Sequence, residues 1–128
     1  MSQDNFKQLY TWAEKVRNEF SVGYDLEGIR KIEAAIAANR KHFTSLTESE
    51  QYHRVSSFGA FIGHCMILNF KGEWYESGGA IGVRLPEVNI WVNPFHQVWK
   101  HARQAALPDS ITSFYEISGD FQALILED

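Results

Sequence analysis

The chain has one cysteine, three prolines and no long hydrophobic run. The single thiol, Cys65, excludes a disulfide within the chain and a zinc site built on cysteine clusters. The longest apolar-rich stretch, Phe58 to Phe70, is interrupted by His64 and Asn69. It is too short to cross a bilayer, so no membrane partner is expected. The opening residues MSQDNFKQ carry neither a basic n-region nor an apolar h-region. They do not read as a signal peptide, and a reducing cytoplasm is the expected setting. Positive charge is not in excess either: the formal net charge is −4. Residues 1–64 hold eight basic and eight acidic side chains, whereas residues 65–128 hold four and eight, so the whole imbalance lies in the second half. Phosphate binding needs a basic field, and nucleic acid is therefore not the expected partner. An acidic second half leans instead toward a cationic protein surface.

What is present is an ordinary globular composition, 45% hydrophobic and 22% charged, which argues against disorder. At 128 residues, without internal repeat or linker, the chain reads as a single domain, 1–128, large enough to bury a core. Four Trp, five Tyr and nine Phe supply large side chains for that core and anchors for a partner.

The organising stretch is Thr47–Phe70, TESEQYHRVSSFGAFIGHCMILNF. Thr47 followed by Glu50 is a capping box that opens a long helix. In projection Val55, Phe58, Ile62, Cys65 and Met66 form an apolar side. Ser56, Gly59, Ala60 and Gly63 form a side with almost no bulk, and His53, Ser57 and His64 form a polar strip. Two glycines inside a helix cost about 2 kcal/mol against alanine. Close approach of another element is the expected compensation.

Two helices precede it. Residues 3–20 place Phe6, Leu9, Tyr10, Trp12, Ala13, Val16 and Phe20 on one side at 100° per residue. Asp25 caps a second helix, residues 26–41, with a stripe of Leu26, Ile29, Ile32 and Ile36. After Phe70 the period changes to two. Residues 72–77, 80–85 and 88–92 read as three strands of an antiparallel meander joined by short turns. Trp74, Ile81, Val83, Leu85, Ile90 and Val92 share one face; Tyr75, Arg84 and Trp91 share the other. Asn93-Pro94 starts a helix that runs to Ala106, with His96, Lys100 and Arg103 outside. Leu107-Pro108 ends it. Asp109 caps a short helix through Ile117, which Ser118-Gly119 breaks. Residues 121–126 are apolar enough for a last strand, with a short helix as the alternative. The fold class is thus α+β: N-terminal helices and a central buried helix packed with a three-stranded antiparallel meander, then C-terminal helices.

Chemical signatures are scarce. His53 and His64 are about 16 Å apart along a helix, and His96 and His101 point about 140° apart, so neither pair makes a helical zinc site. Cys65 falls among Phe58, Ile62 and Met66, where burial makes a thiol inert, and its neighbour His64 points about 100° away. Ser77–Gly82 is glycine-rich but leads into a strand rather than a helix N-terminus, so it reads as a hairpin turn. No catalytic residue, metal or cofactor is assigned. The candidate binding residues fall into two groups. Tyr75, Arg84 and Trp91 come together on the second face of the meander, which is either an open aromatic platform or core covered by another segment. His64 with Glu73, Glu76 and Arg84 would line a pocket between the central helix and the meander, the site of a small-molecule binder or small enzyme.

The run GAFIGHCMILNFKGEWYES, with GVRL, VNPFHQVWKHA and DSITSFYE downstream, resembles a family of small bacterial α+β domains of unknown function over about residues 57–116. The resemblance implies a bacterial α+β fold and no particular activity. With no convergent acid, base or nucleophile set in the sequence, the expected function is that of a non-enzymatic cytoplasmic protein that binds another protein in the manner of an immunity or adaptor protein. Self-association as a homodimer through the meander is the remaining possibility.

Overall fold

The structure, a computed structural model, describes residues 4–103 and 110–126. Helices α1 (Asp4–Phe20), α2 (Leu26–Ala38), α3 (Arg40–Ser45) and α4 (Glu48–Phe70) come first. Strands β1 (Glu73–Ser77), β2 (Ala80–Leu85) and β3 (Ile90–Val92) follow, then α5 (Pro94–Arg103) and α6 (Ser110–Leu126). The three strands form one antiparallel sheet in the order β1-β2-β3, with helices on either side in the chain, which is the expected α+β arrangement.

α4 packs against α1, α5, α6 and the sheet. Its capping box is formed: Thr47 Oγ1 accepts from the Glu50 N–H at 3.2 Å, and the Glu50 carboxylate accepts from the Thr47 N–H at 2.9 Å. Every residue from Val55 to Gly63 is buried, so this helix is covered on all sides for more than two turns. Its glycines receive aromatic rings. A Cβ on Gly63 would lie 2.2 Å from the Trp74 indole, and one on Gly59 would lie 2.3 Å from the Phe95 ring. Those two rings stack on each other with centroids 5.8 Å apart. The bulk-free side of α4 is therefore a groove for an aromatic pair, one ring from β1 and one from α5. Phe58, Ile62 and Met66 are buried as expected, and Phe61, stacked on Tyr24 at 5.3 Å, joins them.

Strand register sorts the sheet as the alternation requires: Trp74 pairs with Val83, Val83 with Val92, and Leu85 with Ile90. Trp74, Val83 and Leu85 are buried against the helices. β3 begins at Ile90 rather than Val88, because Asn89 takes a left-handed conformation (φ 55°) that ends the preceding turn.

Three further boundaries differ from expectation. α2 stops at Ala38, where the Asn39 Nδ2 donates to the Ala35 carbonyl at 2.8 Å and the chain restarts as α3, carrying Phe43 into the core. α6 does not break at Ser118-Gly119. Ser118 Oγ donates back to the Phe114 carbonyl at 2.9 Å, and Gly119 makes room for Phe70, whose ring a Cβ would approach to 2.7 Å. Residues 121–126 are consequently helical and not a strand. The expected end near Ala106, the Leu107-Pro108 stop and the Asp109 cap lie outside the described residues.

Glu33, on α2, is buried. Its carboxylate accepts from the N–H groups of Ile111 and Thr112 at 2.6 and 3.3 Å and from Thr112 Oγ1 at 2.6 Å. It therefore caps the N-terminus of α6, where unpaired N–H groups and the helix dipole favour an anion. Arg40 does the converse at α5, donating from Nε and Nη2 to the His101 carbonyl at 3.0 and 2.9 Å. Among the described residues no helix is long and apolar enough to cross a membrane.

Candidate functional site

The second face of the meander is open at Tyr75 and partly covered at Arg84 and Trp91. Tyr75 is 43% exposed, Glu73 is exposed, and Arg84 and Trp91 are half-buried. Gly82 builds this face. It sits in the central strand under the Trp91 indole, whose ring atoms would be 2.6 Å from a Cβ there. The indole lies flat across β2, and its Nε1 donates to the Tyr75 carbonyl on β1 at 3.1 Å. The Arg84 guanidinium sits 5.2 Å from the Tyr75 ring centroid, with Nη1 3.8 Å from Glu73 Oε1. That ion pair is exposed and contributes at most about 1 kcal/mol, so it orients the guanidinium more than it stabilises the fold. Tyr75, Trp91 and Arg84 thus lie side by side on the sheet, with the indole held by its hydrogen bond.

The pocket expected between α4 and the meander is not assembled. His64 touches Tyr10 and Tyr24 edge-on, at 4.9 and 4.5 Å between centroids. Arg84 pairs with Glu73, and Glu76 sits opposite Ile81, exposed and on the other side of β1 from Tyr75. Among the described residues no hydrogen bond, ion pair or ring contact joins His64 to Glu73, Glu76 or Arg84.

His64 instead belongs to a cluster between α1 and the turn into α2. Glu14 accepts from Tyr24 Oη at 2.7 Å and from Arg17 Nε at 3.1 Å, with a second contact from Arg17 Nη2. The Arg17 and Tyr24 hydrogen bonds hold the Glu14 carboxyl down at about 2. Burial pushes the Tyr24 phenol up and the His64 imidazole below its ordinary 6.5, against the opposing pull of Glu14. His64 Nδ1 is buried without a hydrogen-bond partner. No nucleophile completes an acid–base set here, and the cluster acts as a clamp on the α1–α2 connection. Cys65 is fully buried, and burial pushes its thiol well above the ordinary range, so it is not a nucleophile at neutral pH. Among the described residues no three His, Cys, Asp or Glu side chains are placed to hold a metal ion.

A cavity of about 210 Å³ with no counterpart in the sequence pattern lies among α1, α2, α3, α4 and α5. Ile36, Phe43, Val55, Phe58, Val98 and Ala102 wall it, and Glu19, Asn39, His42 and Arg54 stand at its mouth. Such a cavity is invisible in one dimension, because its lining comes from five separate helices. No family model, no curated protein and no solved structure matches this chain.

Proposed function

We propose that this chain is a non-enzymatic binding protein and that the outer face of its sheet is the interface with another protein. The observation that supports this reading is the row of exposed Tyr75 and half-buried Trp91 and Arg84, built on Gly82, with the indole held by its hydrogen bond. Tyr, Trp and Arg are the side chains that anchor protein interfaces, and a preordered platform binds at lower entropic cost. The occupant is a different protein that offers an apolar anchor to the rings and basic groups to the acidic second half of the chain. An immunity or adaptor role in the bacterial cytoplasm is the concrete form of the proposal. The absence of a convergent acid, base and nucleophile among the described residues weighs on the same side.

The test compares tagged wild type with a Tyr75→Ser/Arg84→Glu variant shown by circular dichroism to be folded. Wild type is expected to retain one protein from a bacterial lysate in near-stoichiometric amount, and the variant to lose it. Equal retention by both, or no stoichiometric species with either, contradicts the proposal. A wild-type dimer in light scattering that the variant converts to monomer would also overturn it, by making a second copy the occupant.

A further inference from the structure

We infer that the cavity among α1, α2, α3, α4 and α5 is a binding site for a small amphipathic carboxylate of about ten non-hydrogen atoms. Its walls are hydrocarbon and aromatic, from Ile36, Phe43, Val55, Phe58 and Val98. The apolar body of a ligand fits there, and a cavity of about 210 Å³ exceeds the roughly 150 Å³ that accepts benzene in an apolar core. The mouth supplies the head-group chemistry. Arg54 stacks its guanidinium 4.9 Å from the Phe58 ring centroid, which places the charge over a cavity wall. Glu19 takes one N–H from each terminal nitrogen at 3.4 Å, and the other N–H groups of the guanidinium remain for a second carboxylate. A shallow polar groove shares His42, Leu46 and Arg54 with the mouth and adds His53 and Ser49 as further donors. Of the two carboxylates nearby, Glu50 is engaged in the capping box and Glu19 with Arg54. An anionic head therefore meets donors from Arg54, His42, His53 and Ser49, with Glu50 turned to the Thr47 N–H and Glu19 ion-paired. This site shares no residue with the sheet face and stands or falls independently of it.

Octanoate and octanol are the probes, with binding followed by titration calorimetry and thermal shift. Octanoate is expected to bind wild type at one site and to raise the melting temperature, with octanol at least tenfold weaker. Arg54→Gln should reduce octanoate affinity at least tenfold and leave octanol unchanged. Ala102→Leu, which fills the cavity from α5, should abolish both while the protein melts no lower; Ala35→Leu at the rim serves if that variant does not fold. No saturable octanoate binding to wild type, or binding that survives the cavity-filling variant, overturns the site. Equal affinity for octanol and octanoate, unmoved by Arg54→Gln, overturns the carboxylate assignment.

Discussion

Gly63 shows how a single hydrogen in place of a side chain sets a packing distance. The Trp74 indole occupies the place of its Cβ, and a methyl group there must push the ring off α4. Overpacking of this kind costs about 1–3 kcal/mol, more than the roughly 1 kcal/mol that alanine returns in helix propensity. Gly63→Ala should lower the melting temperature by several degrees and Gly63→Leu should unfold the domain; a melt of either variant at the wild-type temperature contradicts this packing. His64 makes a different prediction. Burial lowers its pKa below the 6.5 of the unfolded chain, so above that pH it is neutral in both states. As pH falls through 6.5 the unfolded state takes up the proton first, and stability drops until the native imidazole also titrates. Wild type should therefore lose more stability than His64→Asn between pH 7 and pH 5, which a pair of melting curves will show. Glu14 acts in a lower window: with its carboxyl held at about 2 against an ordinary 4.5, its contribution is present above 4.5 and disappears as pH falls toward 2.

Elements were legible where local chemistry decides them. The Thr47/Glu50 box, the Asn93-Pro94 start, with Asn93 Oδ1 accepting from the His96 N–H at 3.1 Å, and the two faces of the meander all follow from side chains near one another in sequence. The glycines of α4 announced a close approach without naming Phe95 and Trp74 as the rings that make it. Elements were misread where a distant partner overrides local preference. Ser118-Gly119 has the composition of a stop, yet α6 runs through it because Phe70 occupies the space above Gly119. Glu33 has the sequence character of a solvated helix charge, yet the start of α6, 78 residues away, lies against it. Glu33→Ala would leave the Ile111 and Thr112 N–H groups buried and unpaired, at a cost of about 2–3 kcal/mol. Amide exchange should then accelerate at Ile111 and Thr112 before it does in α4. Unchanged protection at both would show that the carboxylate is not their cap.

At the scale of the molecule, α4 separates two regions. Its first half borders the cavity through Val55 and Phe58, and its second half carries the sheet through Gly63 and Trp74. The helix thus carries the sheet and walls the cavity, and neither candidate site uses its His64-Cys65 pair. The partition of charge fits this division, since the acidic half of the chain is the half that bears the sheet. Whether that sheet binds another protein is answered most directly by a photocrosslinking amino acid at Tyr75, with the same residue at exposed Lys31 on α2 as control. Illumination in living bacteria should give one discrete adduct from position 75 and none from position 31. No adduct at either position, or the same adducts at both, would contradict an interface on the sheet.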